Sequence, residues 1–475
     1  MFKMIEKYAG IHSTDKIIRW LFLLGFILHI TAAIFSEGFH KLDEQEGIMR
    51  FVGLKLGLLD SSAMSREYPW QIRPWAQPFI YFSLGKIFPV SNPFTLNFIF
   101  RLFSSLLGLY SIVLLFKHFK QFLKHKTSEL TYLSFLILLW YFPFFHARPT
   151  SENFSISFFI YGFTLLILER PKYWQYLLSG FLLGFSFYFR FQSSIMITSS
   201  VLWLLIFGNL KIRPFFILMI GFLLSIGCNT LIDYWGYGEW VFTPWKYLDF
   251  NIIQGGAAQY GVDPWYIYIK KTFIKGIPPF SLLLIIPYFY LWSKAPKSLI
   301  TWITLPFFLV HSCISHKELR FLFGLGLFAP LAISLFLEAY PINSNKLTKA
   351  LYKLALLLNL GALLIATLKP AASQINYYKT IYQEKIPQIY YFNTHPKKLP
   401  FYNQQGIEYL KTENPPNVAD YHFVTMNPEE AAGLKKSHSC QIKYSKMPQW
   451  VNKIFPKKWL KRSRNWLLWQ CKRTL

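Results

Sequence analysis

The stretch QPFIYFSLGKIF, residues 77–88, decides how the whole chain is read. It is apolar enough to enter a bilayer, yet with its neighbours over 76–90 it falls short of the ~20 residues that a spanning helix needs. Counting it as a span or not reverses the side on which every later loop emerges. Outward from it, eleven apolar runs suit spanning helices: 17–36, 97–117, 129–145, 153–169, 175–190, 194–210, 214–232, 277–293, 298–314, 319–338 and 347–368. Short cytoplasmic loops carry an excess of Lys and Arg. The basic loops KHFKQFLKHK (117–126), ERPKYW (169–174), KIRP (211–214), SKAPK (293–297) and NSNKLTK (343–349) alternate with the others only if 76–90 lies on the membrane rather than through it.

That topology makes the N-terminus cytoplasmic. Segments 37–96, HARPTSENFS (146–155), FRFQSS (189–194), 233–276, SHKELR (315–320) and everything beyond 370 then share the opposite face. Their acids, arginines and histidines took no part in setting the topology, and all converge there. A pocket on the non-cytoplasmic surface, built at helix ends, is the expectation.

Composition agrees with a polytopic α-helical membrane protein. Of 475 residues, 53% are hydrophobic, 20% aromatic and only 15% charged, which excludes an ordinary soluble domain. The formal charge of +27 lies in clusters between apolar runs and in the last hundred residues, so lipid, phosphate and topology account for it better than nucleic acid. Lys3, Lys7, Lys16 and Arg19 precede the first apolar run, which lacks a small-residue cleavage site and reads as a retained anchor. Cys228, Cys313, Cys440 and Cys471 show neither CxxC nor metal-ligand spacing, so no metal site and no disulfide framework are expected. Residues 370–475 read as a small basic extracytoplasmic domain, and 1–369 as the membrane domain. The terminal stretch KIFPKKWLKRSRNWLLWQCKR is either a solvated basic surface or an interfacial helix anchored by Trp459, Trp466 and Trp469.

The chemistry-bearing residues lie in the outer loops. Asp43 and Glu44, in HKLDEQEGIMRF (40–51), are either a solvated helix start or a general base with its neighbour. Adjacent helical residues point about 100° apart, so only one of the two acids faces a given substrate. Arg73, Arg101, Arg148 and Arg190 sit at the outer ends of spans, where an uncompensated charge costs several kcal/mol. Their partners are internal acids such as Asp43, Glu44 or Glu152, or a bound phosphate that replaces them. His316, Lys317 and Arg320 form a second cationic cluster. The aromatic loop 233–276 offers Gln254, Tyr260, Asp263 and Trp265 as sugar contacts, or else is an interfacial aromatic belt. No Walker motif, GxSxG or HExxH occurs.

GYGEWVFTPWKYLDFNIIQGGAAQYGVDPWYIY (236–268) resembles the long luminal loop of the GPI mannosyltransferases in glycosyltransferase family 22, and SHKELRF (315–321) resembles that family's HKExRF signature. KLDEQEG (41–47), IRPWAQPFIY (72–81) and ARPTSENFS (147–155) resemble its other outer-loop motifs, in order, from about residue 37 to 323. The resemblance implies a GT-C fold with about eleven transmembrane helices, a large first outer loop with membrane-lying helices, and inverting transfer of a sugar from a polyprenyl-phosphate carrier to a glycolipid or glycan hydroxyl. The sugar is mannose in the family.

Carried over by position, Asp43 is the base and Glu44 its support. His316, Lys317 and Arg320, with Arg148, neutralise the leaving lipid phosphate; Arg73, Arg101 and Arg190 join them as phosphate candidates by their place at the span ends and not by the resemblance. Gln254, Tyr260, Asp263 and Trp265 frame the sugars. No metal or cofactor is implied, because a single leaving phosphate does without an Asp-x-Asp metal site. Asp263 stands where the eukaryotic pattern has His, which leaves acceptor and sugar identity open. The face is periplasmic in a bacterial inner membrane and luminal in the ER. A transporter or flippase of lipid-linked sugars, or an oligosaccharide ligase, shares the topology; charges gathered at one face rather than across mid-membrane favour surface chemistry over transport.

Overall fold

The computed structural model describes residues 14–475 except 209, 343–344, 373, 393–398, 404–405, 414–415, 417, 426–437, 448–453, 455–465 and 474–475. Each of the eleven apolar runs is helical over most of its length. Among the described residues, five helices, Asp15–Phe35, Pro93–Phe122, Ile212–Tyr237, Leu319–Ala339 and Lys346–Leu368, are long and apolar enough to cross a membrane. The ambiguous stretch forms the helix Ala76–Ile87 of 12 residues, about 18 Å long against a hydrocarbon core of about 30 Å.

The helix Ile212–Tyr237 shows why these sequences fold against lipid. Its buried positions are Leu218, Gly221, Ser225, Asn229, Asp233 and Gly236, while Ile220, Leu223, Leu224 and Leu231 are exposed. Small and polar residues at four-residue spacing thus face protein, and the aliphatic face is left outward. The helix Tyr173–Phe189 meets it through Gly180 and Gly184. A Cβ on Gly180 would lie 1.9 Å from the Leu218 carbonyl, and one on Gly221 would lie 2.0 Å from that of Leu177. Between helices in lipid, where no hydrophobic drive remains, such backbone approach is a main source of association.

The run 129–145, expected to be one span, is broken into Lys126–Leu138 and Tyr141–His146. Asn359 fills the break. Its amide nitrogen donates to Leu138 O at 2.7 Å and its oxygen accepts from Trp140 N at 3.2 Å. One carboxamide therefore serves both a donor and an acceptor that the interrupted helix leaves without intrahelical partners.

Two compact units make up the chain, and their boundary does not follow the sequence. One comprises Met1–Ser36, Arg66–Leu84 and Ile99–Lys369; the other comprises Glu37–Ser65, Gly85–Phe98 and Pro370–Leu475. In the second unit, strands β1 (Gln388–Tyr391), β2 (Glu408–Lys411), β3 (Asp420–Thr425), β4 (His438–Ser445) and β5 (Leu467–Arg473) form a sheet in the order β2-β1-β3-β5-β4. β1 runs parallel to β2 and β3, and β5 antiparallel to β3 and β4. The same unit holds the root of the first outer loop: Ala371 N donates to Glu37 O at 2.8 Å, and Lys379 pairs with the Glu37 carboxylate at 2.9 Å.

Two expectations are corrected here. Trp466 and Trp469 are not interfacial anchors: both are buried, with Trp469 in β5 donating to Thr425 Oγ1 at 2.9 Å. β5 has a strand on each side and covered faces, so its apolar residues are continuous and imitate a helix's. Trp459 lies outside the described residues. Where no disulfide framework is expected, Cys440 and Cys471 form a disulfide. They face each other across β4 and β5, a pairing that strand register creates and that their spacing does not announce.

Candidate active site

In the first unit, loops at several helix ends meet in one chain of charged groups. Arg190 Nη1 lies 3.2 Å from Glu152 Oε1, and Arg320 Nη1 lies 3.5 Å from the same oxygen. Arg320 Nε donates to Glu318 Oε2 at 3.0 Å, and His316 Nε2 is 3.4 Å from Glu318 Oε1. The His316 ring is 5.9 Å from that of Tyr260, whose hydroxyl donates to Glu67 Oε1 at 3.1 Å; Glu67 Oε2 accepts from Arg73 Nε at 2.6 Å. Both Arg190 and Arg320 stack on Phe321, at 4.6 and 5.3 Å from the ring centre. Stacking and a shared carboxylate keep two like charges together away from water.

Local sequence places each member. Thr150 caps the helix Ser151–Leu166, accepting from Asn153 N, and this sets Glu152 in the first turn, where the helix dipole favours an acid. Arg190 follows the last residue of the helix Tyr173–Phe189, the end that favours a cation. Arg320 lies in the turn Leu319–Leu322 that opens the helix Phe323–Ala339.

Arg101 and Arg148 are elsewhere. Arg101 Nε donates to Ala33 O at 2.9 Å. Arg148, with no exposed surface, donates from Nη2 to both the carbonyl and the hydroxyl of Ser36. Both guanidiniums thus satisfy the C-terminal end of the first helix, whose last carbonyls have no partners within the helix.

Lys317 is a brace. Its buried ammonium donates to the carbonyls of Asp263, at 2.7 Å, and Ile314. Asp263 N donates to Ser315 O at 3.0 Å, and Lys271 Nζ bridges the Asp263 carboxylate at 2.7 Å and Lys317 O at 2.8 Å. Asp263 accordingly ties the long loop to the 315–320 turn. Gln254 bonds only locally among the hydrogen bonds described, to Asp249 Oδ2 at 2.7 Å, and Trp265 is exposed against Tyr266. Asp233 pins the loops from below, accepting from Trp75 N at 2.7 Å and Thr243 Oγ1 at 2.6 Å.

In the second unit, Asp43 and Glu44 differ sharply. Glu44 is buried, and its Oε1 accepts from His40 N at 2.8 Å and Lys41 N at 3.2 Å. Asp43, at the start of the helical segment Glu44–Met49, is partly exposed. Glu44 therefore shapes the turn, while Asp43 keeps part of its surface exposed. Among the described residues, no three His, Cys, Asp or Glu side chains gather in metal-binding geometry.

Residues 18–407 match the family model described as the Alg9-like mannosyltransferase family. The chain belongs to this family. Curated relatives include GPI mannosyltransferase 3 of Debaryomyces hansenii, 29% identical over 271 residues, which covers 52% of this chain and 46% of that protein. GPI alpha-1,2-mannosyltransferase 3 of Danio rerio is 27% identical over 278 residues, 54% of this chain and 48% of that one. The match thus spans about half the length of these relatives. Among solved structures, ArnT from Cupriavidus metallidurans, bound to undecaprenyl phosphate, aligns with a TM-score of 0.54 and 10% identity over 96% of this chain and 98% of that one. At that identity the likeness is one of fold.

The family's motifs leave several buried or paired residues unmarked. Glu318 lies inside SHKELRF and Glu67 ahead of IRPWAQPFIY, and each neutralises an arginine. His311 carried a usable signal, an ionisable residue within an apolar run. Tyr268, one of 29 tyrosines, carried none.

Proposed function

We propose that this chain is an inverting mannosyltransferase that moves mannose from a polyprenyl-phosphate carrier to a hydroxyl of a glycolipid or glycan on the non-cytoplasmic membrane face. The observation that carries the reading is the pair Arg190 and Arg320 on one oxygen of Glu152. Two guanidiniums held by the charge of a single carboxylate match the oxygens of a phosphate, which replaces that carboxylate as their counter-ion when it arrives. Family membership supports the sugar, and the undecaprenyl phosphate bound by ArnT supports the carrier class. The Cys440–Cys471 disulfide supports the side, since such bonds persist in oxidising compartments.

In this mechanism Asp43 takes the proton of the acceptor hydroxyl as its oxygen attacks C1 of the sugar. The bond from C1 to the phosphate oxygen breaks on the opposite face, and the leaving polyprenyl phosphate keeps the electron pair. Its charge falls on Arg190 and Arg320, with His316 alongside. Lys317, Arg101 and Arg148 act on backbone, holding the loops that carry these groups. Because attack and departure are on opposite faces, the anomeric configuration inverts.

The test uses purified protein, labelled polyprenyl-phosphate mannose and a glycolipid acceptor pool. Wild type transfers label, and Asp43→Asn slows transfer by roughly 10²- to 10⁴-fold, the usual range for losing a general base. Equal transfer by both removes Asp43 from the role. No transfer by wild type from any lipid-phosphate sugar overturns the function.

A further inference from the structure

Two buried side chains of the first unit each carry a polar atom with no hydrogen-bond partner among the described residues, Tyr268 Oη and His311 Nε2. Each side chain is only 1% exposed. Tyr268 lies one turn before Lys271 on the helix Ile267–Lys275, which is anchored through Asp263 and Lys317 O to the 315–320 turn. His311 lies near the end of the helix Leu299–Cys313 that leads into the same turn. The Arg190 guanidinium is within electrostatic range of both, and Tyr268 is also within range of Asp263 and Glu318.

Their chemistry is complementary. His311 Nδ1 is 2.8 Å from Phe307 O, and a carbonyl only accepts, so Nδ1 carries the proton and Nε2 of the neutral ring presents a lone pair. Burial pushes the Tyr268 phenol above its ordinary range, so it stays protonated and offers an O–H. Phenylalanine would fill position 268 without burying an unsatisfied hydroxyl, which destabilises a fold. A donor and an acceptor together suit a ligand that both accepts and donates. Sugar hydroxyls do both; an ionised phosphodiester only accepts and would leave His311 Nε2 unmatched.

We propose that Tyr268 and His311 are sugar-binding residues, Tyr268 Oη donating to and His311 Nε2 accepting from hydroxyls of the hexose whose phosphate lies on Arg190 and Arg320. The inference rests on the donor proposed above and names the part of it that these residues read. They select the sugar end of the lipid, while the arginines hold the phosphate whether or not a sugar is attached.

The experiment titrates the full-length protein in detergent with undecaprenyl phosphate and with undecaprenyl-phosphate mannose, alongside thermal unfolding. The variants are Tyr268→Phe, which removes only the hydroxyl, and His311→Asn, which keeps a donor at the δ position and removes Nε2. Each is expected to bind the mannose-bearing lipid about tenfold more weakly, the effect of one lost buried hydrogen bond. Binding of the bare lipid phosphate stays unchanged, and the melting temperature of Tyr268→Phe is unchanged or higher. Unaltered binding of the mannose lipid, or equal weakening for both lipids, overturns the assignment while wild-type binding preserves the donor reading. A wild type that binds neither lipid overturns the donor reading and this inference together.

Discussion

Arg148 and Arg190 are both largely sequestered guanidiniums at helix ends, and their partners differ in kind. Arg148 holds the carbonyl and hydroxyl of Ser36, atoms whose positions follow from the end of the first helix. Arg190 holds Glu152, a carboxylate on a rotatable side chain, and shares it with Arg320. A helix-terminal carbonyl cannot move aside without unravelling a turn. A carboxylate can change rotamer and yield its place to another anion. In the proposed function the same residue type is thus an anchor in one region and an exchangeable anion holder in the other, and the partner makes the difference.

The largest expected effect comes from breaking the anchor. Arg148→Met removes two charge-assisted hydrogen bonds, and unfolding in detergent should show a loss of roughly 3–5 kcal/mol. An unchanged melting temperature would mean that the first helix end does not depend on it. Next comes Arg320→Met, expected to weaken undecaprenyl phosphate binding about 30-fold, near 2 kcal/mol for one charge-assisted contact, with a smaller fall in stability than Arg148→Met. If both variants lost stability alike, the distinction between anchor and exchangeable pair would collapse.

Glu152→Gln sharpens the comparison further, because it removes the competitor while keeping the shape. Affinity for the lipid phosphate should rise about fivefold, near 1 kcal/mol, while the ligand-free protein melts lower. Weaker binding would show that Glu152 helps the anion rather than yielding to it. The smallest effect concerns labelling alone: Cys440 and Cys471 should take up maleimide only after reduction and unfolding, whereas labelling without reductant would contradict the bond between them.

Much of the helical architecture was legible from run length. All eleven apolar runs are helical, and the short helix Ala76–Ile87 is the one that charge alternation sets apart. The break after Leu138 was not legible, because it depends on an amide 221 residues away in sequence. β5 was misread since a covered strand and a buried helix have the same apolar run. Within the candidate site, the HKELRF turn, Arg190 and Arg73 were visible as cations needing partners. Which partner each received was not, and Tyr268 was indistinguishable from the protein's other tyrosines.

Sequence by itself determined that the chain enters a membrane, where its helices run and which loops carry acids and cations. These properties follow from transfer energies and backbone bonds closed within each segment, so local composition suffices. Only the tertiary structure decided that Arg148 meets Ser36 across 112 residues, that Glu152 serves Arg190 and Arg320 together, and that Cys440 meets Cys471. A hydrogen bond or disulfide needs its two ends within a few ångströms, and the packing of distant segments alone brings them there.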